Sequence, residues 1–129
     1  MLGLCLHHVG IACADIDHAS EFVKRAFRVH SDSGTVFDPL QNAFVRIFNE
    51  GQPGAIELVS GPIVQAFVAK KTTYYHLCYG TPDIVSTVAA AKAGGSIIVS
   101  RPKPAVLFAG RLVAFVHTPL GLIEFLEER

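Results

Sequence analysis

Two histidines and two glutamates carry the chemistry this sequence offers. The first half opens LHHVGIACADI, with His8 seven residues before Asp15, and the second opens YYHLCYGTPDI, with His76 seven residues before Asp83. The first half closes VRIFNEGQPGAIELVS, which carries Glu57, and the second closes VAFVHTPLGLIEFLEE, which carries Glu124. The histidines are 68 residues apart and the glutamates 67, so one residue of loop separates two copies of one unit. In a strand, residues i and i+2 share a face. His8 then shares one with Leu6, Gly10 and Ala12, and His76 with Tyr74, Cys78 and Gly80. Glu57 lies between Ile56 and Leu58, and Glu124 between Ile123 and Phe125. A carboxylate in such a half-buried strand is costly unless it is paired or bound to a metal. Small neighbours beside the histidines predict open space for a ligand. Two imidazoles and two carboxylates could hold a divalent cation of the Mn, Fe, Co, Ni or Zn group. Such an ion polarises a substrate oxygen and stabilises a developing enolate. A strand histidine alone is more often a packed or surface group; matching positions in both halves set these four apart.

The elements that must position them repeat as strand, helix and three strands. In the first half, residues 4–12 read as a strand. Residues 15–29 change period, with Ile16, Ala19, Val23, Ala26 and Phe27 recurring at three and four. Asp15 suits the N-cap, and Lys24, Arg25 and Arg28 suit the C-terminal end. Strands are predicted over 33–37, 43–48 and 55–59, then a linking helix over 62–71. In the second half, a strand over 73–79 precedes a helix bracketed by Thr81 as N-cap, Pro82 at its first position and Gly94 just past its end. Strands over 96–100, 112–117 and 122–126 follow, with a longer connection at 101–110. The reading is one α+β domain over 1–129: module one about 1–61, the linker about 62–71, module two about 72–129.

The chain has 129 residues, half of them apolar and 17% charged, which excludes intrinsic disorder. Eleven basic residues balance eleven acidic ones, which argues against a general nucleic-acid binder and a polybasic membrane anchor. The uncharged run 1–14 is too short for a bilayer span of about 20 residues and lacks a signal peptide's positive region. Cys5, Cys13 and Cys78 form an odd set without a CxxC, which predicts reduced thiols and a cytoplasmic protein. No nucleotide-binding glycine loop, nucleophile elbow or HExxH is present. His7 is expected opposite His8 on its strand, His18 and His30 at the surface, and His117 in a loop. Lys70, Lys71, Arg101, Lys103 and Arg111 are the best candidates for gripping an anionic substrate tail, with ordinary solvated charge the favoured reading for each, and Phe44, Tyr74, Phe108 and Phe115 are candidates for pocket walls, with core packing the favoured reading for most.

In this order, LHHVGIACADI, AIELVSGPIVQAFVAKK, YYHLCYGTPDI, GRLVAFVHTP and GLIEFLEE resemble the vicinal oxygen chelate superfamily. That family includes glyoxalase I, methylmalonyl-CoA epimerase, extradiol dioxygenases, and fosfomycin- and bleomycin-resistance proteins. The resemblance covers nearly the whole chain. It implies two tandem βαβββ modules forming a curved mixed β-sheet half-barrel around a metal site. It carries the ligand role onto His8, Glu57, His76 and Glu124. The segment GPIVQAFVAKK leading into YYHLCY is most similar to the epimerases. Those enzymes usually carry a proton-transfer glutamate just before the third strand; here Leu40 or Gln41 falls at that place, with Asp38 nearby. Glyoxalase I implies another route, in which metal-bound glutamates shuttle the proton, and Glu57 and Glu124 match them.

The expected function is proton transfer through an enolate on a small carbonyl or thioester substrate, glyoxalase- or epimerase-like, as an isomerase or lyase. The expected cofactor is a divalent ion, Co, Mn, Ni, Zn or Fe. The alternatives are a non-catalytic small-molecule binding or resistance protein of the same fold, and an iron dioxygenase with two His and one Glu. Sheet edges that a second chain could cover predict a homodimer. The expected partner is otherwise a small-molecule substrate, with no nucleic acid and no membrane.

Overall fold

The computed structural model describes residues 2–129. Eight strands form one curled mixed sheet in the order β2-β3-β4-β1-β5-β8-β7-β6. The first half supplies β1 (Cys5–Ala12), α1 (Ile16–Ala26), β2 (Val36–Asp38), β3 (Ala43–Phe48) and β4 (Ile56–Ser60). A 3₁₀ turn (Pro62–Val64) and the short α2 (Gln65–Ala69) link the halves. The second half supplies β5 (Tyr74–Thr81), α3 (Ile84–Ala93), β6 (Ile97–Pro104), β7 (Leu112–Thr118) and β8 (Gly121–Glu127). In each half the first strand runs parallel to the last, β1 beside β4 and β5 beside β8. The halves join through the antiparallel pair β1–β5 at the middle of the sheet. This is the α+β, two-module βαβββ half-barrel expected from the sequence.

Helices α1 and α3 cover one face. Asp15 caps α1, its carboxylate accepting from the backbone N–H of Asp17 and His18. The helix buries Ile16 and Val23 against Phe48 and Leu58. It ends at Ala26, short of the expected 29, because Phe27 is already extended (φ −112°, ψ 154°). The cap of α3 is Asp83, which accepts from Ser86, and not the expected Thr81. Thr81 ends β5 and spends its hydroxyl on the hydroxyl of Thr87, 2.7 Å away and buried. Ile84 and Val88 of α3 pack on Ala114, Val116, Ile123 and Phe125.

Two strands differ from expectation for reasons of position. β2 is only Val36–Asp38, and Asp32 contributes an isolated bridge to Phe48. β6 runs on through Pro102 and Pro104, where a connection was expected. It lies at the sheet edge, where a proline's missing N–H costs no ladder bond. The remainder of that connection is a 3₁₀ turn, Val106–Phe108. That turn packs onto the other face of the sheet with Ile47, Cys78, Val113 and Leu126. No helix among the described residues is long and apolar enough to cross a membrane.

Candidate metal centre

The four central strands, β4-β1-β5-β8, each bring one of the four predicted side chains to the concave face. Strand register sorts them into two rows. Gly10 is paired with both Glu57 and His76, and Cys78 with both His8 and Glu124. A small residue therefore sits at the middle of each row. Gly10 does not leave empty space for a ligand, as its size suggested. A Cβ built there would lie 2.0 Å from Cε1 of His76, so the His76 ring fills the room glycine provides. Likewise, a Cβ on Gly80 would meet the Glu128 side chain at 2.9 Å.

All four side chains come from one chain, and all are buried, with 1–5% residue exposure. Nε2 of His8 lies 3.3 Å from Nε2 of His76. It is 3.4 Å from Glu57 Oε1 and 3.2 Å from Glu124 Oε1. Nε2 of His76 is 3.5 Å from Glu57 Oε1 and 3.1 Å from Glu124 Oε1. Bonds of about 2.0–2.2 Å to a common ion space adjacent donors by roughly 3.0–3.5 Å. The five separations fall in that range. Among the described residues no lysine or arginine pairs with Glu57 or Glu124, whose ion-pair partners are the two histidines. Two buried carboxylates without a fixed cation need protons or a metal to balance them. The donor set therefore fits a divalent ion, and the four form a possible metal-binding cluster.

The electrostatics show what balances the charge without one. Burial opposes protonation of His8, but the Glu57 charge and hydrogen bonds to Cys78, Glu124 and Glu57 outweigh it and hold the imidazole well above its usual range. Burial likewise opposes the Glu124 carboxylate, yet hydrogen bonds and charge from His76 and His8 hold it well below the usual range. The two rings are held differently. Nδ1 of His8 lies 2.9 Å from Nδ1 of His7, whereas Nδ1 of His76 is buried with no hydrogen-bond partner among the described residues. The His76 ring is fixed by packing, edge-on to Tyr75 and Phe115 with centroids at 4.5 and 5.3 Å. His7, expected on the opposite face from His8, lies beside it because β1 bulges between Leu6 and His8. Half-burial, with the charges of His8 and Arg111, pushes His7 down to about 4.

A cleft of about 800 Å³ opens onto His76. Tyr74, Tyr75, Phe115, Leu120 and Leu122 line it with apolar surface, and Lys103 is its one lysine or arginine. Tyr74 and Phe115 thus line the pocket. Phe44 instead packs on Phe37 near the β2 edge, and Phe108 stacks on the His8 ring at 5.7 Å. Lys70, Lys71, Arg101 and Arg111 do not reach the cleft. Arg111 donates to the carbonyls of Phe108 and Glu127 and to Glu50. His117, expected in a loop, belongs to β7 and lines the cleft; its strand position relative to Phe115 was the available signal. His18 and His30 are exposed as expected. Cys13, pushed up to about 11 chiefly by burial, donates to Val59 O; Cys78 is fully buried, and burial raises its thiol too.

Asp38 is spent on the backbone. It is fully buried, and its oxygens accept from Leu40 N, Gln41 N, Gln41 Nε2 and Val106 N at 3.0–3.3 Å. It pins the 38–41 turn to the β6–β7 connection, and Lys103 reinforces that turn by donating to Leu40 O. Asp38→Ala is expected to lower stability by about 3 kcal/mol, since four donors lose a charged acceptor. Thermal unfolding alongside metal titration checks this; a proton-transfer role would instead leave stability near wild type.

Solved structures share this fold. A hypothetical protein from Bacillus halodurans C-125 is 25% identical with a TM-score of 0.80, over 98% of this chain and 96% of its own. The methylmalonyl-CoA epimerase of Mycobacterium tuberculosis is 21% identical with a TM-score of 0.78, over 96% of this chain and 87% of its own. The 2,2',3-trihydroxybiphenyl 1,2-dioxygenase of Sphingomonas wittichii strain RW1 is 15% identical with a TM-score of 0.66, over 95% of this chain and 42% of its own. No curated protein matches the chain. The sequence profile of one family matches residues 7–115, which include His8, Glu57 and His76, and the chain belongs to that family, the glyoxalase/bleomycin resistance protein/dioxygenase superfamily.

Proposed function

We propose that this chain is a divalent-metal-dependent enzyme that moves a proton on the carbon beside a carbonyl, with His8, Glu57, His76 and Glu124 holding the ion. The observation that carries the reading is the meeting of two imidazoles and two carboxylates, all buried, with no lysine or arginine among the described residues to neutralise them. A divalent ion held there supplies Lewis-acid polarisation of a substrate oxygen. The chain's own part is to carry the proton. A carboxylate oxygen takes it from carbon as the C–H bond breaks, its electron pair forms the enolate C=C bond while the carbonyl π pair moves onto oxygen, and the proton returns to the same carbon or, where that carbon bears a hydroxyl, to the former carbonyl carbon as the hydroxyl proton passes to the other oxygen. Glu124 is gripped by both histidines at 3.1 and 3.2 Å, while Glu57 stands off at 3.4 and 3.5 Å. Glu57 is thus the freer base and Glu124 the anchor.

The cleft supports an apolar substrate body. Tyr74, Phe115, Leu120 and Leu122 give it an apolar wall on the His76 side, and Lys103 accommodates one anionic group. Both halves contribute one His and one Glu, so this reading treats 1–129 as one functional unit. The test is metal analysis of protein purified without chelator, then titration of Mn, Co, Ni and Zn into stripped wild type and Glu124→Ala. About one ion per chain, lost in the variant, is expected. Solvent-deuterium incorporation into 2-oxo and 2-hydroxyacyl compounds then reports the proton step. A folded, stripped wild type that takes no cation overturns the reading.

A further inference from the structure

We propose that His7 is a positioning residue for His8: its Nδ1 accepts the Nδ1–H of His8, which fixes the tautomer and ring orientation that turn His8 Nε2 into the centre. The inference rests on the reading of His8 as a ligand. It starts from the backbone. In the β1–β5 pair, Leu6 is opposite Tyr79 and His8 opposite Cys78, so His7 is the extra residue of a bulge. A bulge re-aims a side chain that regular alternation would send to the other face. Here it brings two consecutive imidazoles together, with Nδ1 atoms 2.9 Å apart and rings at 78°. An ion bound at Nε2 of His8 requires its proton on Nδ1, and the atom facing that proton is Nδ1 of His7.

The surroundings of His7 suit it to accept. Its own proton then sits on Nε2, whose side of the ring faces Glu50 Oε2 at 4.0 Å. Arg111 holds that carboxylate at 3.2 Å. Phe108 meets His7 edge-on at 5.5 Å and stacks on His8 at 5.7 Å, which restricts both rings. The other half has the same backbone device without the hydrogen bond. A second bulge in the β1–β5 pair places Tyr75 ahead of His76, as His7 precedes His8. Nδ1 of His76 finds no partner there. The repeat thus holds one imidazole by a hydrogen bond and the other by packing over Gly10.

The test uses the full chain with His7→Asn, whose amide oxygen can replace the acceptor, and His7→Phe, which keeps the ring packing without one. Zinc affinity is read by chelator competition, and the proton positions of the histidine rings by nitrogen-15 NMR, with thermal unfolding as the control for fold. Wild type and His7→Asn are expected to show His8 protonated on Nδ1 with similar zinc affinity. His7→Phe is expected to bind zinc about 10- to 100-fold more weakly, the range for losing an outer-shell partner. Equal affinity and an unchanged His8 proton in His7→Phe overturn the proposal. If wild type binds no zinc, the reading of the centre fails on its own. Spectra of the metal-free protein, taken where His8 is neutral, then decide the positioning role: an Nδ1–H in wild type and His7→Asn but a tautomer mixture in His7→Phe supports it, and identical spectra overturn it.

Discussion

A Gly10→Ala variant is expected to lose metal binding by at least about 100-fold, although residue 10 supplies no donor atom; a displaced ligand should cost at least the upper end of what losing an outer-shell partner costs. A Cβ on Gly10 would stand 2.0 Å from Cε1, 2.2 Å from Nδ1 and 2.5 Å from Nε2 of His76. Ordinary carbon contacts begin near 3.5 Å. The ring cannot tilt away by a fraction of an ångström, because Tyr75 and Phe115 pack against it. It must leave its position, and Nε2 leaves the cluster with it. The strand itself has little reason to fail, since alanine is compatible with an extended backbone and Gly10 is not among the positive-φ glycines. The stability cost is that of overpacking, about 1–3 kcal/mol. Adding His76→Ala to Gly10→Ala removes the clash and should restore much of that loss while leaving the metal site broken. This non-additivity is the signature of two groups competing for one volume. Unfolding curves and zinc titrations on the two single variants and the double variant measure it. If Gly10→Ala binds zinc as wild type does, the ring has another resting place and the packing argument is wrong.

The same glycine shows how far the sequence could be read. Placing His8, Glu57, His76 and Glu124 near one another needed only strand periodicity and the internal repeat, because both describe a regular pleated sheet. The two-module fold followed from the same regularity. Gly10 was expected to leave a cavity, since a missing side chain reads as space. Which neighbour fills that space depends on cross-strand register, and the register that sets His76 opposite Gly10 pairs residues 66 apart in the chain. His7 was misplaced for a related reason. Alternation sends adjacent residues to opposite faces, and a bulge is invisible to a rule that counts by two. Another misreading came from treating a residue's type as its task. Thr81 and Asp83 are both good N-caps, and the choice fell to Asp83 because Thr81 was already committed to β5 and to Thr87. Arg111 suits an anionic substrate by type, but the favoured reading is ordinary charge, and carbonyls and Glu50 hold it.

The metal-free and metal-loaded proteins should have opposite pH dependences of stability. Without an ion, the proton on His8 offsets part of the carboxylate charge. His8, raised in the folded state above its ordinary 6.5, contributes stability that is full below about pH 6.5 and is lost as the pH rises through the folded value. Glu124, held below its ordinary 4.5, contributes stability that is full above about pH 4.5 and is lost as the pH falls through the folded value. Both contributions are complete only between about pH 4.5 and 6.5, and His7, lowered to about 4, removes stability as the pH falls below 6.5, so the stripped protein is expected to melt highest near the upper end of that window. A divalent ion competes with the His8 proton for Nε2, so its binding at neutral pH should release about one proton per chain and tighten with rising pH. Ion at 100 times its dissociation constant adds about 2.7 kcal/mol to stability, and that increment grows as His8 deprotonates. The loaded protein should therefore melt higher at pH 8 than at pH 6, while the stripped protein does the reverse. Melting curves across that interval, with calorimetric titrations in buffers of differing ionisation enthalpy, read the two slopes and the proton count. A stripped protein whose melting temperature climbs from pH 6 to pH 8 would mean that His8 is neutral in the folded state, and the charge balance drawn from the site geometry would then be wrong.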